Sequence, residues 1–342
     1  MKRVMSALVL VLLCGCSGLP RARELGEVAI LRTIGLDADV SGVEMTVVDA
    51  DRSLSALGSS AASAAREIQG LGERYISFGH VDRLVLGEGL AMKGLDPVID
   101  YLAREPQLGL GVELWVADGR AADILDRQGS SERLSQMQSR TLGCSAATLM
   151  SVQAREGSVC IPAVTLTEQD GAERLESDGY ALIRKGKLVS RLRADAAAGY
   201  ELLCGQGVGG VADVSAEGVG VVSLRLERIQ VRVKPVFQER ELTGLDICCG
   251  IGARVGQQEQ SADDEQLRQI GQDYERLQAG RMVQALEQAQ YWDADFADLQ
   301  RRAMLACPSQ KESISRQFGP QFRSVTIRVT VDAQVERDEN EA

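Results

Sequence analysis

The sequence contains a single histidine, His80, and this scarcity excludes several classes of site. Ser-His-Asp and Cys-His catalysis both need a histidine as the base, so only His80 could serve. Because His80 lies between Gly79 and an apolar stretch, its position favours a structural histidine bonded to the backbone. The cysteine spacing also matches no zinc pattern. The sequence therefore predicts neither a histidine-dependent active site nor a metal site.

Other features that the sequence lacks exclude further classes of function. Aromatic residues make up 4% of the chain, which counts against a sugar-binding lectin. No Gly-Lys-Ser/Thr follows the glycines at 207–210, so that segment is not a phosphate loop. Acidic residues are numerous, but no spacing singles out a catalytic pair, and such carboxylates usually form a solvated surface. We therefore expect a protein that is not an enzyme and needs no cofactor.

Charge and composition limit the partners. The chain has 342 residues, enough for two or three domains, and 44% of them are apolar, as in folded proteins. Its net charge is −11, and an acidic body argues against binding to nucleic acid. The same charge argues against broad contact with an anionic lipid surface.

The N-terminus has the form of a bacterial lipoprotein signal. Lys2 and Arg3 precede an apolar run that ends in Leu13-Cys14-Gly15-Cys16, a lipobox. The run is too short to span a bilayer but suits a signal peptide. Cleavage after residues 1–15 would leave Cys16 to carry a diacylglycerol, and two acyl chains anchor a protein stably. An ordinary secretory signal is the alternative.

Six further cysteines belong to the exported part of the chain, where disulfides can form. They are Cys144, Cys160, Cys204, Cys248, Cys249 and Cys307. The sequence leaves open whether they pair. The adjacent Cys248 and Cys249 lie in an apolar stretch, so we interpret both as small buried hydrophobic residues.

Hydrophobic patterns predict the secondary structure. Strand-like stretches lie at 28–31, 43–49, 81–86, 112–117, 219–226, 229–236 and 245–255. We interpret residues 54–63 as a surface loop and 171–178 as an acidic connection. Asp96 is expected to cap a short helix, and Ser261 is expected to cap a long one.

These elements predict an α+β fold of more than one domain, with antiparallel or mixed sheets packed against helices, and with strands and helices segregated rather than alternating as in a doubly wound sheet. The long helix falls in the C-terminal domain. The glycine-rich segment near 205 suggests a boundary, which gives an N-terminal domain at 16–205 and a C-terminal domain at 206–342. The polar stretch 128–158 is a further break within the first domain.

Four blocks of sequence follow the lipobox in order. They are Arg23-Glu24-Leu25 with Ile34-Gly35-Leu36-Asp37, Phe78-Gly79-His80 with Leu86-Gly87-Glu88, Val116-Ala117-Asp118-Gly119, and Gly179-Tyr180-Ala181-Leu182 with Gly186-Lys187-Leu188-Val189. In this order they resemble the Ger(x)C family, the C-subunit lipoproteins of spore germinant receptors. Asp295-Phe296-Ala297-Asp298 stands where that family often has Asp-Ile-Phe-Gly-Phe-Gly.

The resemblance implies a palmitate-type lipoprotein on the outer face of the inner spore membrane. Its partners would be an A-type and a B-type membrane subunit, together with the membrane itself through the N-terminal diacylglycerol. Such a subunit is an adaptor or scaffold in nutrient-triggered germination, without a cofactor. Most residues of the four blocks match buried strands and turns, so His80 and Glu88 are the polar candidates for partner contact.

Two other functions are compatible with an exported lipoprotein. One is a lipid-anchored solute-binding protein of a transporter, which would need two lobes around a cleft. The other is direct capture of a small germinant by this subunit. Flanking genes for a germination permease and an A-type subunit would favour the receptor, whereas an adjacent ATP-binding cassette would favour the transporter.

Overall fold

A computed structural model describes residues 24–49, 52–169, 171–207, 210–239, 241–258 and 260–337. Its strands, in chain order, are β1 (Val28–Ile30), β2 (Thr33–Ala38), β3 (Val43–Asp49), β4 (Arg52–Gly58), β5 (Tyr75–Ser77), β6 (Arg83–Leu86), β7 (Glu113–Ala117), β8 (Ser158–Gln169), β9 (Ala172–Arg184), β10 (Lys187–Leu192), β11 (Val211–Ala216), β12 (Gly220–Gln238), β13 (Glu241–Gln258) and β14 (Thr326–Glu336).

Ten α-helices connect and cover these strands within the described ranges. They are α1 (Ala61–Leu71), α2 (Glu88–Lys93), α3 (Asp96–Arg104), α4 (Ala121–Leu125), α5 (Ser130–Gln138), α6 (Ala146–Gln153), α7 (Ala194–Leu203), α8 (Asp264–Trp292), α9 (Leu299–Ala306) and α10 (Lys311–Gln321). In the part of the chain that the structure describes, no helix combines the length and the apolar character that a membrane span requires.

The largest sheet has eight strands in the order β10-β9-β8-β7-β6-β2-β3-β4. Its four central strands, β8, β7, β6 and β2, run parallel to one another. Antiparallel strands complete it on both sides. The prediction of an α+β fold with mixed sheets is confirmed, although strands and helices alternate through the parallel centre rather than being segregated.

Helices cover both faces of this sheet. On one face, apolar side chains of α1, α2, α3 and α6 join those of the strands in one core. On the other face, α4 and α5 pack against a smaller core that includes Val85 and Trp115. Coverage on both faces explains why the central strands are continuous apolar runs, since parallel strands between two helical layers have no solvent-facing side.

The C-terminal part is a second, four-stranded sheet in the order β11-β12-β13-β14. The last strand pairs with β13 in parallel, and the other pairs are antiparallel. The 29-residue helix α8 packs against this sheet, as its apolar stripe predicts. The core around α8 also includes Tyr180, Leu192 and Tyr200, so it continues into the last strands of the large sheet and into α7.

Several local predictions are wrong. Residues 54–63 form most of β4 and the start of α1, and 172–178 lie in β9. Asp96 is the first residue of α3, after Leu95. The long helix is capped by Asp263 rather than Ser261: its carboxylate accepts from the amide of Gln266 at 2.8 Å, and the Gln266 side chain accepts from Asp263 N at 2.9 Å.

Candidate functional site where four sequence blocks meet

The structure separates the predicted contact residues. Cys16 lies outside the described residues. His80 is exposed in the turn before β6, and no described residue hydrogen-bonds or ion-pairs with it, so the expected backbone bond is not found. Glu88 begins α2 directly after β6 and its N-capping glycine. The two residues therefore lie at opposite ends of β6 and do not form one site.

Asp37 joins three of the four blocks at the carboxyl ends of parallel strands. Its two carboxylate oxygens accept hydrogen bonds from the amides of Ala121 and Ala122 at 2.8 and 2.9 Å, which caps α4. Burial raises the pKa of this carboxyl, and the two amide bonds oppose that shift. A Cβ at Gly87 would lie 1.9 Å from Asp37 Oδ1, so only glycine fits there. These block residues are structural.

A cluster of five charged side chains lies beside this junction. The charge cluster consists of Glu88, Asp118, Asp178, Arg191 and Arg193. Arg191 Nη2 lies 3.0 Å from Glu88 Oε1 and donates to the carbonyl of Ala117 at 2.9 Å. Its other terminal nitrogen donates to Asp178 Oδ2 at 3.1 Å.

Arg193 completes the cluster from the surface. Its Nε donates to Asp178 Oδ1 at 2.6 Å, and its Nη2 donates to Asp178 Oδ2 at 2.8 Å, a bidentate pair. The Arg191 side chain is 9% exposed, whereas that of Arg193 is 53% exposed. Together the two arginines tie α2, the end of β7, β9 and β10 to one another, so the cluster brings the fourth block to the other three.

The charge cluster is suited to holding segments of the chain together rather than to catalysing a reaction. Each carboxylate of the cluster already pairs with a guanidinium, and no histidine, serine or cysteine belongs to it. The described residues also contain no group of three or more His, Cys, Asp or Glu placed to hold a metal ion. Glu88, predicted as a partner contact, is thus engaged within the protein.

Four members of the charge cluster were not predicted as site residues from the sequence: Asp118, Asp178, Arg191 and Arg193. One signal was available: Glu88 and Asp118 each follow a buried strand directly. If both strands are taken as parallel neighbours, their carboxyl ends meet at one edge and bring the two acids together. No comparable pattern pointed to Arg191, since it belongs to a hairpin strand far along the chain.

The six described cysteines are free thiols. Burial raises the pKa of the Cys144 thiol to about 12 and that of Cys204 and Cys249 to about 11. Such thiols are poor nucleophiles at neutral pH because the thiolate is the reactive form. The prediction of a buried hydrophobic residue is confirmed for Cys249, whereas Cys248 faces the other side of β13 and is half-buried.

Asp295 gives the block at 295–298 a structural role as well. Its carboxylate accepts hydrogen bonds from the amides of Leu299 and Gln300 at 2.7 and 2.9 Å, at the start of α9. Burial raises the pKa of this carboxyl to about 6, against the opposing effect of the two amides. The adjacent Phe296 packs edge-on against Tyr200, with ring centroids 5.4 Å apart.

The raised pKa of Asp295 predicts a pH dependence of stability. In the folded protein this carboxyl keeps its proton up to about pH 6, so its stabilising effect is complete below the ordinary aspartate pKa and is lost as the pH rises through 6. Relative to Asp295→Asn, the wild type should lose about 1–2 kcal/mol between pH 4.5 and 7.5, less than the full value of two pKa units because pH 4.5 already lies above the ordinary aspartate pKa. Urea unfolding at both pH values measures the difference.

Asp332→Asn is the control for this experiment. Asp332 is an exposed residue of β14 and is not among the charges that act on Asp295. This variant reports how far the removal of a surface carboxylate alone changes the stability difference between the two pH values. A constant difference between wild type and Asp295→Asn would show that Asp295 does not titrate in this range.

The chain matches known domain families over most of its length. Residues 21–145 match the family described as "Spore germination protein N-terminal domain", and residues 178–339 match "Spore germination B3/ GerAC like, C-terminal". YfkR of Bacillus subtilis strain 168, which carries the name of a spore germination protein, is 29% identical over 147 residues. The alignment covers 40% of this chain and 38% of YfkR, so the chain matches less than half of that relative's length.

A solved structure shares the fold. The crystal structure of the GerBC protein superposes with a TM-score of 0.62, covering 88% of this chain and 97% of that chain at 17% identity. At this identity the likeness establishes the fold. The two domain families and the shared fold agree with the order of the four sequence blocks, and the chain belongs to the Ger(x)C family of spore germination proteins.

Proposed function

We propose that this protein is the lipid-anchored, non-enzymatic C subunit of a spore germinant receptor. In this role it is an adaptor that binds an A-type and a B-type membrane subunit at the outer face of the inner spore membrane. The observation that carries the proposal is the match of both family domains, in order, to one chain. The GerBC fold supports it over nearly the whole length.

The internal use of polar residues supports an adaptor rather than a catalyst. At the junction of the four blocks, Asp37 caps a helix and Glu88 pairs with Arg191. A site built for catalysis would instead hold a nucleophile and a base within hydrogen-bonding reach of each other. The family blocks thus act to fix the shape of a rigid body that other subunits can bind.

The lipid anchor depends on Cys16, and its replacement should abolish it. We expect Cys16→Ala to lose incorporation of labelled palmitate completely, because Cys16 supplies the thioether sulfur, whereas Cys14 leaves with the cleaved signal. The control is Cys14→Ala, which changes the other lipobox cysteine and should still be labelled. Equal labelling of the Cys16→Ala variant would refute the anchor.

A pull-down from detergent-solubilised dormant spores tests the receptor assignment. The wild type and Cys14→Ala should recover a permease-like and an A-type subunit, and Cys16→Ala should recover at least about tenfold less, since two acyl chains supply the stable attachment. If the labelled wild type recovers neither subunit, the adaptor role is wrong. Recovery of an ATP-binding cassette transporter instead would favour a solute-binding protein.

A further inference from the structure

A groove of about 620 Å³ opens between helices of the N-terminal part. Its walls come from the start of α1, the end of α2, the first turns of α3, the turn between β2 and β3, and the turn between β9 and β10. The volume falls within the range of about 300–1,000 Å³ that is typical of small-molecule sites. Neither the family blocks' charge cluster nor the proposed lipid anchor contributes to it.

Half of the lysines in the sequence line this groove. The sequence contains six lysines, and three of them, Lys93, Lys185 and Lys187, line this groove. Every ion pair found among the described residues is made by an arginine, such as those of the charge cluster. Across the described ranges, the ammonium group of none of the three lysines takes part in an ion pair or a side-chain hydrogen bond. The groove therefore concentrates positive charge that this acidic protein does not neutralise.

The local backbone holds the lysines in place. Lys185 and Gly186 have φ of 49° and 72°, as in a two-residue type I′ hairpin turn. The carbonyl of Gly186 accepts from Leu95 N at 2.8 Å, which docks the turn on the start of α3. A Cβ at Gly94 would lie 3.7 Å from Cε of Lys187, so this side chain lies over the residue that follows Lys93.

The acidic residues of the groove have other partners. Asp100 pairs with Arg104 on the same helix, at 2.7 Å. Asp96 accepts a hydrogen bond from the side-chain amide of Gln153. The first turn of α1, which also lines the groove, contains no acidic residue to offset the positive end of the helix. Because the amide partner of Asp96 is neutral, this carboxylate keeps its charge, but the three lysines outnumber it and the net charge in the groove is positive.

Apart from Ser59, Ser60 and Arg104, the rest of the lining is apolar. Leu90, Pro97, Val98 and the ring of Tyr101 lie among the residues that form the walls. Such a lining favours a ligand with a hydrocarbon or aromatic part, and clustered ammonium groups favour a carboxylate or phosphate. We propose that this groove binds a small organic anion that combines one acidic group with an apolar body.

Lysine footprinting of the full-length protein in nonionic detergent tests this proposal. The probe is sodium benzoate, with benzyl alcohol and inorganic phosphate at matched ionic strength as the uncharged and the purely ionic comparisons. We expect benzoate at ten times its Kd to slow acetylation of Lys93, Lys185 and Lys187 about tenfold, because a covered lysine reacts only in the free protein. The exposed Lys234 and Lys311 lie outside the groove and should react unchanged.

Calorimetric titration of variants completes the test. A triple variant, Lys93→Gln with Lys185→Gln and Lys187→Gln, should bind benzoate at least tenfold more weakly, whereas Lys234→Gln with Lys311→Gln should bind as the wild type does. The proposal would be overturned if all five lysines were protected equally, or if phosphate or benzyl alcohol protected the groove lysines as well as benzoate does. Unchanged benzoate binding by the triple variant would also overturn it. None of these measurements requires an assembled receptor. A negative result would therefore reject anion binding without bearing on the adaptor role, which the pull-down tests.

Discussion

We expect Arg191→Met to lower the free energy of unfolding by about 3 kcal/mol, because it removes the buried cation that three carboxylates share. The Arg191 guanidinium reaches Glu88, Asp118 and Asp178 at 3.0 to 3.6 Å. Methionine keeps much of the apolar stem of arginine, so the loss reports on charge rather than on volume. Urea unfolding followed by circular dichroism measures the change.

Arg193→Met is the matched control, since Arg193 contacts two of the same carboxylates from the surface. Its side chain is 53% exposed, so its loss should cost at most about 1 kcal/mol. Equal losses in the two variants would contradict the larger contribution expected of the buried arginine, and no loss for Arg191→Met would show that the charge cluster does not stabilise the fold. Glu88 would then return as a candidate for contact with another subunit.

Strands buried on both faces could be predicted from the sequence, and strands at the margins could not. All four residues of β6 are buried, and its apolar run shows this directly. The edge strand β4 and the first half of β9 carry polar side chains on one or both faces. Their extended conformation comes from pairing with β3 and β8, which local composition does not reveal.

The contacts within the candidate site were even less predictable from the sequence than the marginal strands. Family resemblance identified Asp37, Gly87 and Glu88, but not what they contact. Asp37 caps a helix 84 residues further along the chain, and Arg191 meets Glu88 across 103 residues. The strand order of the large sheet, from β10 at one edge to β2, brings these groups together, and the predicted segregation of strands and helices gave no such order. Residue types were therefore predictable, whereas their pairing required the topology.

The second large effect is expected at Gly199, where the N-terminal and C-terminal parts of the chain touch. A Cβ at this position of α7 would lie 1.9 Å from the carbonyl oxygen of Arg281 in α8 and 2.4 Å from its carbon. Both atoms belong to a helix backbone, so the two helices would have to separate. We expect Gly199→Ala to cost about 3 kcal/mol, at the upper end for overpacked cores. Thermal and urea unfolding measure the loss.

Gly280→Ala is the matched control for Gly199→Ala, and the opposite change in stability is expected for it. It adds the same methyl group to α8, the helix that faces α7. Gly280 is exposed on α8, and a Cβ there would meet nothing within 4 Å. Since alanine favours a helix over glycine, this variant should gain about 0.5–1 kcal/mol. If Gly199→Ala were stabilised like Gly280→Ala, the close contact of α7 with α8 would be wrong. A loss at Gly199 with a gain at Gly280 would confirm that α7 packs closely against α8 within the core that the two parts of the chain share.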